Sequence, residues 1–356
     1  MNKKQVTLKD VARLAGVSTA TVTRVLRNES LVTEKTRKRV EQAIQQTGYR
    51  INIVAQGLRA RQTKTIGHIL QGTAPNPFFI GVALGAEQEA LYHGWSILAF
   101  NVQHDPERER LGIETFIQRR VDAILFTTPL CEENVRIALE AGLMVIQVER
   151  PTTLSTPTVT ADNYAGTVEA IEHLIALGHR RIAYLGEIPP GPAERKAQPH
   201  QNRIEHERFS GYCDTLAHHQ IPLDTELIVL DRFYTSADNG LLAGYHAMQK
   251  LLRSGKRPDA VFATSDIIAA GVLQALYAAH LSIPEDISVV GFDNTYSPYL
   301  SPPLTTVEQP MEQMGRAAVQ MVIHHFQQHQ QEEPTHIRLT TRLVVRGSTG
   351  PRKRLS

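Results

Sequence analysis

The sequence predicts an all-α head of about 48 residues joined to a two-lobed α/β body whose parallel sheets are flanked by helices. Three observations predict it. Residues 1–48 carry helix caps and apolar residues at helical spacing. From Thr65 onward, short apolar strand-like runs alternate with helical stretches. That alternation falls into two consecutive series separated by Pro151–Pro157.

In the head, Thr7-Leu8-Lys9-Asp10 fits an [ST]-x-x-[DE] helix start, where the Thr7 hydroxyl can take an orphan amide. Leu8, Val11, Ala12 and Ala15 follow at helical spacing, and Gly16 stops the helix as a left-handed turn position requires. Ser18 can cap a second helix through Val25 or Leu26, with Val22 and Val25 inward. Thr33 can cap a third, Glu34 to Thr47, with Val40 and Ile44 inward and Gly48 at its end. The first two helices are too short to be stable alone, so all three must pack together. Ala12, Gly16 and Val22 have the spacing of a helix-turn-helix: small residue, turn glycine, buried anchor. Such a unit places its second helix in a major groove.

Charge supports this reading over a generic three-helix bundle. Met1–Lys64 holds 14 Lys and Arg against 4 Asp and Glu, and the rest of the chain 24 against 32. A basic head on an acidic body is the footprint of a nucleic-acid-binding module.

Asn52–Gln62 follows, amphipathic but interrupted by Gly57, and by propensity not helical alone in water. In the first series of the body, strands are expected at Thr65–Leu70, Ser96–Phe100, Ala123–Phe126 and Met144–Val148. Helices are expected at about Phe79–Tyr92, Pro106–Gln118 and Glu132–Glu140. The second series gives strands at Ile182–Leu185, Leu227–Leu230, Ala260–Ala263 and Ser288–Phe292. Its helices fall at about Ala165–Leu177, Glu207–Ala217, Leu241–Leu252 and Ile267–Ala279. Ligands of parallel sheets bind beyond the carboxyl ends of the strands, so facing lobes place a cleft between them. Trp95, before an apolar strand, is expected in the core.

With 42% apolar and 21% charged residues the 356-residue chain can bury a sizeable core. No apolar run approaches the ~20 residues that span a bilayer, and the basic N-terminus lacks an export signal. A cytoplasmic protein with no membrane partner is expected. Cys131 and Cys213 form no spaced cluster, and His324, His325 and His329 sit on a polar, solvated helix end, so neither metal nor cofactor is expected. Dinucleotide, P-loop, nucleophile-elbow and zinc-protease motifs are absent, which argues against an enzyme.

The run from Val6 to Leu26, continued by Val32–Val40 and Gly48-Tyr49-Arg50, resembles the headpiece of the LacI/GalR family of bacterial transcription regulators. The resemblance implies that Thr19, Ala20 and Arg24 read bases and that Thr7, Ser18 and Thr21 contact phosphates. Arg24 is the better candidate for a bidentate guanine contact. Thr23 stands where Ser is usual, and Arg27, where Asn is common, adds a phosphate contact or alters half-site preference. Asn52–Gln62 resembles the family's hinge helix, which orders on operator DNA when two hinges pair. Asn52 and Arg59 then belong to the DNA contact set, and Leu58 is the leucine that wedges into the minor groove; its alternative is packing on the body. Ile51 replaces the Pro usual there.

The body resembles the family's effector domain, akin to periplasmic sugar-binding proteins, through Asn76-Pro77-Phe78-Phe79, Thr264-Ser265-Asp266, Val290–Asn294 and Pro302–Val307. The implied limits are a head at 1–48, a hinge at 49–63, a body at 64–345 and a basic tail at 346–356. The first lobe takes about 64–161 and 293–322, the second about 162–292 and 323–345. Arg208 matches the family's ligand arginine, with a structural ion pair as its alternative. Asp266 matches a ligand carboxylate and competes with a capping role; Ser265 stands where Asn is usual. Phe78 and Phe79 match loop aromatics that otherwise pack in the core. Asn101, Thr127, Arg150, Tyr234 and Asp293 complete the expected cleft. Gly186 to Gln201 reads as a long loop at its edge.

The expected protein is a homodimeric repressor on a near-palindromic, double-stranded operator, controlled by a sugar-like effector in the cleft. Its dimer face lies on the helices after the first strand of each lobe. The tail lacks apolar heptads, so no tail-driven tetramer is expected. Two other classes stay open: a sugar-processing enzyme with a fused DNA-binding head, and a ligand-independent architectural DNA-binder.

Overall fold

The computed structural model describes residues 6–26, 31–49, 62–72, 77–187, 203–231, 233, 240–328 and 334–353. The chain divides into two compact units, Met1–Thr63 and Lys64–Ser356.

The first unit holds α1 (Leu8–Ala15), α2 (Thr19–Leu26) and α3 (Glu34–Thr47). Thr7 donates both its amide (3.0 Å) and its hydroxyl (2.6 Å) to Asp10 Oδ2. The Thr7 hydroxyl and amide bonds hold the Asp10 carboxyl below its usual range. Gly16, at φ +62°, turns the chain out of α1, a conformation that penalises any Cβ. Ser18 Oγ accepts from Thr21 N at 3.1 Å to start α2, and Thr33 Oγ1 accepts from Thr36 N to start α3. Val11, Ala12, Ala15, Val22, Val25, Val40 and Ala43 form the core; Ile44 packs at its edge. All seven are small, so the three short helices pack closely. Arg39 reaches from α3 to the carbonyls of Ala15 and Gly16, satisfying the end of α1.

In the second unit the chain builds β1 (Thr65–Leu70), α4 (Phe78–Tyr92), β2 (Ser96–Asn101), α5 (Pro106–Gln118), β3 (Ala123–Thr127), α6 (Glu132–Glu140), β4 (Met144–Val148) and β5 (Thr158–Ala161). It continues with α7 (Asn163–Ala176), β6 (Ile182–Glu187), α8 (Arg203–His218), β7 (Ile228–Asp231), α9 (Leu241–Arg253), β8 (Ala260–Ala263), α10 (Asp266–Ala278), β9 (Ser288–Asp293) and β10 (Thr305–Glu308). Last come α11 (Met311–Gln328), β11 (His336–Leu339) and β12 (Arg342–Val344).

Two sheets result, ordered β11-β5-β4-β3-β1-β2 and β12-β10-β9-β8-β6-β7. Their pairings are parallel except β10 with β12. Helices cover both faces, which is why β3 and β9 are buried along their whole length and read as continuous apolar runs. In each lobe glycines bring a helix pair into backbone contact. A Cβ on Gly85 of α4 would lie 2.0 Å from the Glu312 carbonyl oxygen of α11, and one on Gly271 of α10 2.1 Å from that of Leu241 in α9. Trp95 is buried in the first lobe against Phe326. No described helix is long and apolar enough to cross a membrane.

Two boundaries are corrected. The expected split put 293–322 in the first lobe and 323–345 in the second. Instead β10 pairs with β9 in the second sheet, while α11 packs on α4 and β11 pairs with β5 in the first. Of the four strands missed, β5, β10 and β11 mix polar with apolar residues, unlike the apolar runs that mark the equally short β7 and β8, and β12 has only three residues. The expected tail from 346 is also not free through Lys353. Ser348 is fully buried, accepting from Thr305 N and donating to the Val289 carbonyl, and Arg352 pairs with Asp259 at 3.0 Å.

Candidate functional site

The carboxyl ends of both sheets open onto one cavity of about 220 Å³. The first lobe lines it with Gly72 after β1, Phe78 and Phe79 at the start of α4, His104 after β2, Thr128 after β3, and Glu149 and Arg150 after β4. The second lobe adds Glu187 at the end of β6, Glu205 and Arg208 on α8, Thr264 and Ser265 after β8, Asp293 at the end of β9, and Gln309 after β10. The backbone is strained at this rim. His104, Thr128, Glu149 and Asp293 have φ of +57°, +60°, +72° and +115°. Non-glycine residues rarely hold such angles, and where they do the strain tends to sit at functional sites.

Charges on the wall are mostly buried. Arg150 donates to both carboxylate oxygens of Glu205, at 2.7 and 2.6 Å, and so joins the two lobes across the cavity. Burial pushes Glu205 up, but the charge and bonds of Arg150 outweigh it and leave the carboxyl below its ordinary range. Arg208, 7% exposed, donates Nε to Asn163 Oδ1 (2.9 Å) and Nη1 to the Thr264 carbonyl (2.6 Å). Its guanidinium lies 3.8 Å over the ring of Phe292. Burial drives Glu149 up to about 7 and Asp293 to about 8, against the opposing pull of Arg208 on both. Asp293 Oδ1 accepts from Gln309 Nε2 at 2.7 Å, whereas the buried atoms Glu149 Oε2 and Gln309 Oε1 have no hydrogen-bond partner. Phe78 and Phe79 meet edge to face at 5.5 Å. The cavity thus offers fixed charges and acceptors beside an aromatic wall, the composition of a site for a small polar ligand.

In the first unit, α2 leaves Thr19, Ala20 and Arg24 exposed on one helix with Ser18 at its start. Thr21 is half-buried and shares a hydrogen bond with Ser18 Oγ at 2.9 Å. Only one of those hydroxyls can donate to the other, so a donor remains for an outside acceptor.

Residues 7–52 match the family model "Bacterial regulatory proteins, lacI family", and residues 171–349 match that of a periplasmic binding protein-like domain. The ribose operon repressor of Escherichia coli strain K12 is 34% identical over 96% of this chain and 99% of its own. The chain belongs to the LacI family. Among solved structures, the lac repressor dimer bound to operator and the anti-inducer ONPF is 28% identical over 98% of this chain and all of that one, with a TM-score of 0.79. A LacI family transcriptional regulator from Enterococcus faecium with bound ribose covers 81% of this chain and is itself covered fully, at 26% identity and a TM-score of 0.68.

Of the LacI-family positions expected in the cleft, Phe78, Phe79, Arg150, Arg208 and Asp293 line the cavity together. Three do not, and their geometry explains it. Thr127 is the last residue of β3 and points into the sheet, sharing a 2.8 Å hydrogen bond with His68. Asn101 ends β2 and its Oδ1 accepts from Gln103 N in its own loop. Asp266 begins α10 with its carboxylate turned underneath, accepting from Thr306 Oγ1 at 2.6 Å and Thr295 N at 2.7 Å. Tyr234, Arg27, Asn52, Leu58 and Arg59 lie outside the described residues. Sequence reasoning missed Gly72, His104, Thr128, Glu205 and Gln309, placed Glu187 only within a loop at the edge of the cleft and Ser265 only as a departure from the usual ligand-bonding Asn, and gave no role to Glu149 or Thr264. All but Glu205 share one usable signal: each ends a strand or lies within three residues of its end.

Proposed function

We propose that the chain is a homodimeric repressor that binds a near-palindromic DNA operator, with occupancy set by a small sugar-like effector held between the lobes. One observation carries this reading. A single chain joins an exposed, polar recognition helix in a basic unit to a charged cavity enclosed by two lobes. Neither part needs the other unless ligand and DNA are linked. The effector acts by preferring one arrangement of the lobes, which biases the two hinges and so the spacing of the heads.

Arg24 reads a guanine edge, and Thr19 and Ala20 make the small contacts their side chains allow. Ser18 and Thr21 serve phosphates directly. Thr7 first has to release Asp10, because its only hydroxyl proton is held there. At the hinge, Asn52 and Arg59 meet the DNA and Leu58 wedges between base pairs; Arg27 adds a phosphate contact. In the cavity, Phe78 and Phe79 supply the apolar face and Arg208, Arg150 and Asp293 the polar one. The dimer face runs along α4, which exposes Ile80, Leu84, Leu91 and Tyr92. Operator DNA places the protein in the bacterial cytoplasm. Its relatives are repressors, which supports a role without turnover.

The test is fluorescence anisotropy of the full chain on fragments of its own promoter region and on a scrambled duplex, with and without a panel of sugars. The expected result is salt-dependent preference for one fragment, altered by one sugar. Equal affinity for every duplex, unaffected by any compound, would favour an architectural DNA-binder. Chemical conversion of a sugar would favour an enzyme.

A further inference from the structure

We infer that the effector carries a protonated amine, as an amino sugar or amino polyol does, and seats its ammonium group against Glu149, Asp293 and Gln309. The inference rests on the effector reading above and narrows the class of ligand.

The first support is the balance of donors and acceptors. Glu149 and Gln309 are 6% and 5% exposed, both line the cavity, and each leaves one buried oxygen without a partner. Gln309 cannot turn its amide around to help, because Nε2 already donates to Asp293. The unmet groups are therefore acceptors, and a buried acceptor left unmet is costly. The ligand must bring donors to this end of the cavity. An ammonium has three, and each bond to a carboxylate is charge-assisted.

The second support is charge. Arg150 is matched by Glu205 in a two-bond pair. That leaves Arg208 as the guanidinium acting on both Glu149 and Asp293. One guanidinium facing two buried carboxyls cannot keep both ionised near neutral pH, whereas an added ammonium between them would favour their ionised forms. Burial raises Glu149 to about 7, against the pull of Arg208 and Arg150, with Glu205 and Glu207 adding to the rise. Asp293 rises to about 8, with Asp266 and Glu149 adding to burial and Arg208 and Gln309 opposing it. An ammonium supplies a positive charge together with the missing donors. A neutral hydroxyl supplies donors alone. A phosphate or carboxylate would add further acceptors and negative charge to a wall already rich in both.

The experiment uses the full chain at neutral pH in a thermal-shift screen, followed by calorimetry. The probes are glucosamine, galactosamine, mannosamine and 1-amino-1-deoxyribitol, their amine-free parents, and the corresponding 6-phosphates or ribitol 5-phosphate. The expected result is that one amine raises the melting temperature and binds on the order of 10-fold tighter than its parent, with its phosphate weakest. Glu149→Gln, which keeps shape and removes charge, should cut that preference to about 2-fold or less. Gln309→Leu, which removes an acceptor and the hydrogen bond to Asp293 without changing charge, should weaken the amine by a smaller factor. A parent sugar binding as tightly as its amine, or a phosphate binding tightest, overturns the inference and leaves the effector site standing. No shift from any probe overturns both.

Discussion

The two units of this chain handle charge in opposite ways. In the first, the seven core residues are all Val or Ala, and the basic side chains flanking α2 and α3 face outward or cap a turn, as Arg39 does. In the second, Glu149, Glu205, Arg208, Asp266 and Asp293 are all buried. A charge left in water costs nothing until a phosphate arrives; a charge placed in a protein interior costs several kcal/mol unless partners hold it. The smaller unit therefore keeps its binding chemistry on its surface. The larger one has core enough to carry charges inside, where they can recognise a ligand. Substitutions of charge should accordingly alter binding alone in the head, and stability as well as binding in the body.

The sharpest break would come at Arg208. Its guanidinium holds Asn163, the Thr264 carbonyl and the Phe292 ring, and its charge opposes the rise of Glu149 and Asp293. Arg208→Ala should destabilise the body by about 3–5 kcal/mol, since it strands buried carboxylates. Arg208→Lys should recover part of this while still losing the effector response, because an ammonium cannot reproduce the fork. Thermal melts read the first effect, and effector-dependent operator binding the second. A melting temperature unchanged in Arg208→Ala would end the contrast between the units.

Next in size is the pH dependence, where the units should differ in sign. Glu149 and Asp293 have folded values of about 7 and about 8, above their ordinary 4.5 and 3.8. A group raised on folding favours the folded state below its ordinary value and loses that advantage as pH climbs toward the folded one. The body should therefore lose stability between about pH 5 and 8, by a few kcal/mol at about 1.4 kcal/mol per pKa unit. Asp10 is lowered instead, so the head's contribution from it is present above 3.8 and fades as pH falls below. Trp95, the one tryptophan of the chain, sits in the body's core and reports its unfolding by fluorescence. Glu149→Gln should flatten that pH profile; a profile unchanged in the variant would remove Glu149 as its source.

The same contrast explains what the sequence could disclose. Helix starts and stops in the head are local chemistry, so Thr7 with Asp10, Gly16, Ser18, Thr33 and Gly48 were legible one residue at a time. The longer strands of the body were legible as apolar runs. The cavity was legible only in part, because its wall gathers one or two residues each from eight strand ends and two helices far apart in the chain. At a strand end the backbone turns, and a shift of one residue decides which side chain faces the ligand. Thr127 was expected there, and Thr128, at φ +60°, is the residue that arrives. Nothing local pairs Arg150 with Glu205, 55 residues away. The lobe boundaries failed for a related reason: β10, β11 and β12 are three or four residues long and take their identity from neighbours formed much earlier in the chain.

A smaller effect should sharpen the comparison from the head's side. Arg24→Ala should lower operator affinity by about 1–3 kcal/mol, the worth of one bidentate base contact, and broaden the base preference at one position of each half-site. Its exposure means that the stability of the head should stay within about 0.5 kcal/mol of the parent, read by thermal melts. A large loss of stability in Arg24→Ala would show that the head, too, builds on its charges.

The smallest effect compares like with like. Thr33 caps α3 in the head, accepting from Thr36 N, and Asp105 caps α5 in the body, accepting from Glu107 N and Arg108 N. Replacing either by Ala should cost about 1 kcal/mol of local stability. The consequences should diverge. The head rests on seven small buried residues, so the loss is a large fraction of what keeps its three helices together. Thr33→Ala should therefore reduce operator affinity, as a growing share of heads is unfolded and each must fold before binding. Asp105 belongs to a unit with two apolar cores on each sheet, so the same loss leaves its cavity intact. Effector affinity in Asp105→Ala should match the parent by calorimetry. Should both variants lose function equally, the difference between the units would lie in something other than the size of the core that supports each site.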